Sequence, residues 1–285
     1  MKTLGPVLFI GAALALCLCG CSKPICTAAA NGDVAEVKRI LAKDPTQADG
    51  SCDYSRGYRP VQLAAENGHA EIVILLLDAG AATAYNNYSL MELAARNGHN
   101  AVVAVLLKRG LSINGNRSSS PLQAAAAAGR AGTVEFLLEH GANISEPRDD
   151  GCTALHYAAL HGHPPAITVL LDRGANIEIT DNNGWTPLFY AAAGGTPEAV
   201  AALLSRGAKV NARSKRGWTP LMRAVANGHA TVLPVLLAHG ADLNARNDEQ
   251  DTALTLAEKE NKPAIAAALR EAASITNLTI TVPQP

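Results

Sequence analysis

The chain has 285 residues, 48% of them hydrophobic, with 24 Lys and Arg against 25 Asp and Glu and a formal net charge of −1. Charge this balanced gives no support for nucleic-acid binding or a polybasic membrane patch, both of which need a concentrated positive field.

Lys2 precedes an almost wholly apolar run from Leu4 to Leu18, and Leu18-Cys19-Gly20-Cys21 follows at once. The run is short for a membrane span and reads as a secretory signal. It resembles a bacterial lipoprotein signal, in which an aliphatic residue and two small residues precede the cysteine that is acylated. The resemblance implies a signal peptide over 1–20, a lipid such as palmitate on Cys21, and a short linker over 21–25. An ordinary cleaved signal with incidental cysteines is the alternative. Ser22 rather than Asp after the cysteine implies an outer-membrane protein facing the periplasm. Loss of 1–20 removes Lys2 and no acid, which leaves a net charge near −2. That compartment permits disulfides. Cys26 and Cys52 are then either a bridge pinning the N-terminal unit or two free thiols. Cys152 falls on an expected fingertip, as a free thiol or an incidental one.

From residue 26 the chain repeats itself. Gly68, Gly98, Gly129, Gly162, Gly195 and Gly228 recur at steps of 30, 31, 33, 33 and 33 residues. Copies open with Thr153-Ala154-Leu155-His156, Thr186-Pro187-Leu188 or Thr219-Pro220-Leu221. An alanine pair follows (Ala64-Ala65, Ala94-Ala95, Ala158-Ala159, Ala191-Ala192), then a glycine, then a second apolar run such as Val73 to Leu77 or Val200 to Leu204. A Thr hydroxyl can serve the free N–H groups of a first helical turn, and Pro suits its fixed φ. The glycines end helices where a left-handed backbone is needed. Pro164-Pro165, Pro197 and Pro263 stand where the second helix begins, whereas Pro234 lies deeper and predicts a local distortion. A period near 33 marks a solenoid whose units bury their leucine faces only by stacking.

These residues resemble the ankyrin repeat, a helix pair followed by an extended finger. The resemblance implies an all-α solenoid of about eight repeats with short β-turn fingers over 26–273. Glu258, Lys259, Glu260, Asn261 and Lys262 replace the usual alanines and Gly-His of the last copy, as suits a polar cap. The connections Gly80–Ser89 and Gly110–Ser120 are shorter than Gly174–Thr186, which predicts shorter or differently turned fingers. Tyr54, Tyr58, Tyr85 and Tyr88 gather in that portion, as a second contact site or as packing near the cap. Beyond residue 273, Ile275, Leu278, Ile280 and Val282 alternate with polar residues, which predicts an extended or disordered tail over 274–285.

Seven of the eight histidines occupy repeat positions: His69, His99, His163 and His229 after the mid-repeat glycine, His156 in the opening motif, His140 and His239 before the helix-ending glycine. Only His161 is left over, and a His161/His163 pair makes a poor metal cage. No nucleophile elbow, phosphate loop or Cys-x-x-Cys motif is present. No catalytic activity, cofactor or metal is expected.

Function is then expected at the surface. The resemblance implies that the fingers and first helices form a concave face that binds proteins. The finger pairs are Asp149-Asp150, Asn182-Asn183, Lys215-Arg216 and Asp248-Glu249, so charge runs negative, neutral, positive, negative. Trp185 and Trp218 lie beside them, with Tyr157, Phe189, Tyr190, Met222 and Arg223 in the first helices. Aromatics and Arg dominate interface hot spots, although tryptophan at a finger and half-core tyrosines also serve packing. The expectation is a lipid-anchored protein, monomeric when free, that binds one protein partner. Such lipoproteins resemble immunity proteins that neutralise secreted lipases or phospholipases. A scaffold supporting an oxidative-stress enzyme such as a catalase fits the same residues.

Overall fold

A computed structural model describes residues 23–52, 57–85, 88–115 and 120–280. The leader, Cys21 and Tyr54 lie outside the described residues, as do the side chains of Tyr85 and Tyr88. The chain is all-α, built from paired helices in two compact units, Met1–Asn86 and Asn87–Pro285.

In the first unit, α1 (Pro24–Asn31) and α2 (Val34–Lys43) form one pair, and α3 (Pro60–Glu66) and α4 (Ala70–Asp78) the next. α1 packs on α3 and α2 on α4. Between the pairs, a 3₁₀ turn at Pro45–Asp49 returns the chain, and Cys52 forms a disulfide with Cys26, Cα to Cα 5.8 Å. Tyr58 is 5% exposed and belongs to the packing of this unit rather than to a contact surface.

The second unit holds α5 (Leu90–Asn97), α6 (Asn100–Lys108), α7 (Pro121–Ala127), α8 (Ala131–Glu139), α9 (Ala154–Leu160), α10 (Pro164–Asp172), α11 (Pro187–Gly194), α12 (Pro197–Ser205), α13 (Pro220–Asn227), α14 (Leu233–Ala238), α15 (Ala253–Lys259) and α16 (Pro263–Ile280). The first helices α5, α7, α9, α11, α13 and α15 pack in sequence, and α8, α10, α12 and α14 do the same alongside. The alanine pairs lie at this seam, with Ala158, Ala159, Ala191 and Ala192 all fully buried. Extended backbone amounts to the two-residue pieces Ala84–Tyr85 and Tyr88–Ser89 among the described residues.

Two motif positions prove to be one contact. A Cβ on Gly129, whose φ is +69°, would stand 2.7 Å from His163 Nδ1 of the following repeat. His163 Nε2 meanwhile donates to Ala127 O at 3.0 Å, a carbonyl at the end of α7. His229 binds Ala193 O and His69 binds Ala30 O in the same way. In the last copy Asn261 adopts the left-handed φ of 53°, and Lys262 Nζ replaces the imidazole by donating to the equivalent carbonyl, Ala226 O, at 2.5 Å and to Val225 O at 2.9 Å. A long flexible ammonium thus serves the carbonyls that the histidine serves elsewhere.

Several details differ from the sequence expectations. The segment from residue 274 is not extended: α16 continues to Ile280, because the alternation of Ile275, Leu278 and Ile280 is also compatible with a helix already started at Pro263. Residues 281–285 lie outside the described residues. Thr186 caps α11 in position only, since its Oγ1 is buried without a hydrogen-bond partner, while Thr219 Oγ1 accepts from Met222 N at 3.3 Å. Pro234 does perturb its helix: Ala230–Val232 is a 3₁₀ turn, and the α-helical part begins only at Leu233.

Candidate protein-binding face

Four fingers of the second unit, those beginning at Arg148, Asp181, Ser214 and Asn247, are tight turns of one design. In each, the backbone N–H of the first residue donates to the carbonyl four residues on: Arg148 to Cys152, Asp181 to Trp185, Ser214 to Trp218, Asn247 to Asp251, at 2.9 to 3.1 Å. In the last three, the side chain of that first residue also accepts from the N–H four residues on, with Asp181 Oδ1 at 2.8 Å from Trp185 N. A short acceptor side chain therefore fixes where each tryptophan leaves the turn. Neighbouring fingers are joined directly, through Asn182 N to Asp150 O, Lys215 N to Asn183 O and Asp248 N to Arg216 O at 3.0, 3.0 and 3.1 Å. The row behaves as a narrow hydrogen-bonded ribbon rather than as independent loops.

On that ribbon the paired residues Asp149-Asp150, Asn182-Asn183, Lys215-Arg216 and Asp248-Glu249 are all exposed. The sequence of charges along the row is thus presented to solvent.

Beside the ribbon, Trp185, Trp218, Tyr157, Tyr190 and Arg223 are half-buried. Trp185 lies parallel to Phe189, with centroids 6.2 Å apart and planes 5° apart, and meets Tyr190 edge-on at 6.0 Å. The Arg223 guanidinium sits over the Trp185 ring, 4.4 Å from its centroid. Arg148 lies 5.7 Å from the Tyr157 ring centroid, and Tyr157 OH donates to Asp150 Oδ2 at 3.4 Å.

Two residues read as surface groups from the sequence are core groups. Met222 is 1% exposed and Phe189 fully buried, because both point between the first helices while Arg223 and Tyr190, one position on, point out. Cys152 is likewise not at a fingertip: it is 1% exposed at the finger base, and its thiol lies 2.9 Å from Tyr190 OH. Burial pushes the Cys152 thiol up to about 12, so it remains protonated and a poor nucleophile.

Asp181, 5% exposed, organises this centre. It accepts from Trp185 N, Asn183 N and Tyr190 OH, at 2.8, 2.8 and 3.0 Å. Burial, followed by the Cys152 and Asp181 contacts, raises the Tyr190 pKa above its ordinary value, so the phenol stays a donor. Sequence reasoning passed over Asp181. Its signal was register, since Asp181, Ser214 and Asn247 recur 33 residues apart, each four before the residue whose N–H it accepts.

His156 closes the arrangement from beneath. Its Nδ1 accepts from Thr153 N and its Nε2 therefore donates to Trp185 O, both at 3.1 Å. Burial holds its pKa below the ordinary imidazole value, which preserves this neutral form. Among the described residues no group of His, Cys, Asp and Glu is placed to hold a metal ion, and no helix is long and apolar enough to cross a membrane.

The family model described as ankyrin repeats (3 copies) matches residues 25–117, 93–181, 122–214, 174–247 and 211–279. No curated protein matches the chain.

Proposed function

This chain belongs to the ankyrin-repeat family, and from that premise we propose that it is a lipid-anchored envelope protein which binds and neutralises a secreted lipase or phospholipase. Ankyrin repeats serve protein–protein interaction. The observation that carries the reading is the finger ribbon: exposed charged pairs held at fixed spacing by finger-to-finger hydrogen bonds, next to a half-buried Trp185, Arg223 and Trp218 patch. A pre-ordered surface loses little conformational entropy on docking, as an inhibitor requires. The envelope location rests on Leu18-Cys19-Gly20-Cys21 alone. Four residues separate Cys21 from Cys26, so an acyl group there would keep the repeats close to the bilayer.

The test captures affinity-tagged chain from detergent-solubilised envelope, with Trp185→Ala/Trp218→Ala as the comparison bait. A lipase-like protein retained by wild type, lost from the variant and inhibited in the complex supports the reading. An active enzyme held in a stable complex would instead identify a scaffold, and equal capture by both baits would remove this face from the function. Incorporation of an alkyne-tagged fatty acid, abolished by Cys21→Ala, tests the anchor.

A further inference from the structure

Arg223 departs from its equivalents. The corresponding position in the other first helices of the second unit is Leu93, Ala124, Tyr157, Tyr190 and Leu256, so the repeat expects an apolar or aromatic side chain there. The chain instead places a half-buried guanidinium. Several other arginines of the unit are ion-paired: Arg173 with Glu135 and Glu139, Arg206 with Asp172, Arg270 with Glu258. Arg223 has no ion pair among the described residues, and its Nε is buried without a hydrogen-bond partner. The carboxylate that acts on it electrostatically, Glu260, is already ion-paired with Lys262.

What holds this cation in place is Trp185. The guanidinium lies 4.4 Å over its ring, the ring is parallel to fully buried Phe189, and the Trp185 N–H is tied to Asp181. Such stacking compensates part of the desolvation of the charge, yet it leaves the planar donor fork unmatched. Burial lowers the Arg223 pKa, but a guanidinium remains charged at neutral pH. The preceding finger adds Lys215 and Arg216, both exposed and without an ion pair among the described residues. Positive charge, an unmet donor and a fixed plane coincide at Arg223, and further positive charge stands on the finger that precedes its helix.

We propose that Arg223, stacked on Trp185, is the docking point for an Asp or Glu side chain on the surface of the partner protein, with Lys215 and Arg216 drawing that acidic segment in. This rests on the reading that the partner binds the finger face. A bidentate carboxylate matches the guanidinium geometry and satisfies donors that the free protein leaves open. Trp185 holds the fork in its bound orientation beforehand, so little rotamer freedom is lost on pairing.

The probe is a displayed library of random peptides selected against the purified full chain. Enriched peptides are expected to share an acidic residue, and their affinity to fall about tenfold or more in Arg223→Gln. Replacing that acid by its amide should cost the same, and the two losses should not add. Arg223→Lys, which keeps charge but not the fork, should recover only part. Circular dichroism and thermal midpoints establish that each variant is folded. The proposal is overturned if no acid-bearing peptide is enriched, if binding is equal in Arg223→Gln, or if the two losses add. Binding lost in Trp185→Ala/Trp218→Ala but intact in Arg223→Gln defeats the carboxylate clamp and leaves the face standing. Binding intact in both defeats the face as well.

Discussion

At residue scale, His156 has the clearest consequence for solution behaviour. It is fully buried, accepts from Thr153 N and donates to Trp185 O, an arrangement that exists only in the neutral imidazole. Its folded pKa lies below the unfolded value of about 6.5. Between those two values the unfolded chain binds more protons than the folded one, so stability rises with pH. The contribution is intact above about pH 6.5 and is lost as pH falls below it. His161, also lowered by burial, acts with the same sign. The pairing of Asp251 with Lys259 lowers that carboxyl and makes itself felt only nearer pH 4. Urea midpoints measured between pH 8 and 5 should therefore decline at the acidic end, and His156→Leu should flatten the decline. At neutral pH the same variant should lose roughly 1–3 kcal/mol, because Thr153 N is left without an acceptor. A slope unchanged in His156→Leu would assign the effect to other groups. The opening motif made the place of His156 legible, but not its second partner, which comes from the next finger. Met222 and Arg223 mark the same limit: adjacent letters in one helix, of which one enters the core and the other meets Trp185.

At the scale of elements, the repeat was readable because its punctuation is local. Prolines at the helix starts and glycines at positive φ mark where α7, α11, α13 and their partners begin and end. What crosses between repeats was not readable. Gly194 is an example: it is helical, so propensity alone favours Ala by about 1 kcal/mol. A Cβ there would overlap the Leu160 carbonyl oxygen and stand 3.0 Å from its carbon, both backbone atoms of α9. Overpacking against backbone costs roughly 1–3 kcal/mol, so Gly194→Ala should lower the thermal midpoint. Gly132→Ala in α8, where a Cβ meets nothing within 4 Å, keeps the propensity gain without the clash and should stabilise by up to about 1 kcal/mol. Equal effects of the two would show that α9 and α11 separate at little cost. The first unit offers a second comparison. Cys26 and Cys52 close a loop with a sequence separation of 26, for which the chain-entropy model gives roughly 3 kcal/mol. Cys52→Ser should therefore raise hydrogen exchange in α1 and in Pro45–Asp49 ahead of α4. Unchanged exchange there would mean that packing alone secures this end.

For the whole molecule, near-neutral net charge supplies no long-range attraction for a charged partner, so any electrostatic selection resides in local pattern. The finger ribbon is suited to this because its acidic, neutral, basic and acidic pairs are held in order by finger-to-finger bonds and cannot rearrange to suit a wrong partner. Exposed charges of this kind act over about 10 Å at 0.1 M salt, which is the range of encounter rather than of the final fit. In the proposed complex Trp185 and Arg223 act at contact distance, where lost packing shows as faster dissociation. The two groups should therefore separate kinetically. With the captured partner, Lys215→Glu/Arg216→Glu should slow association about tenfold at low salt, leave dissociation nearly unchanged and weaken the salt dependence. Trp185→Ala should do the reverse, with fast dissociation and a near-normal association rate. Stopped-flow measurements across a KCl series would read both constants. If the finger variant changed dissociation alone, Lys215 and Arg216 would belong to the tightly packed part of the interface, and the division between a steering ribbon and a holding patch would be wrong.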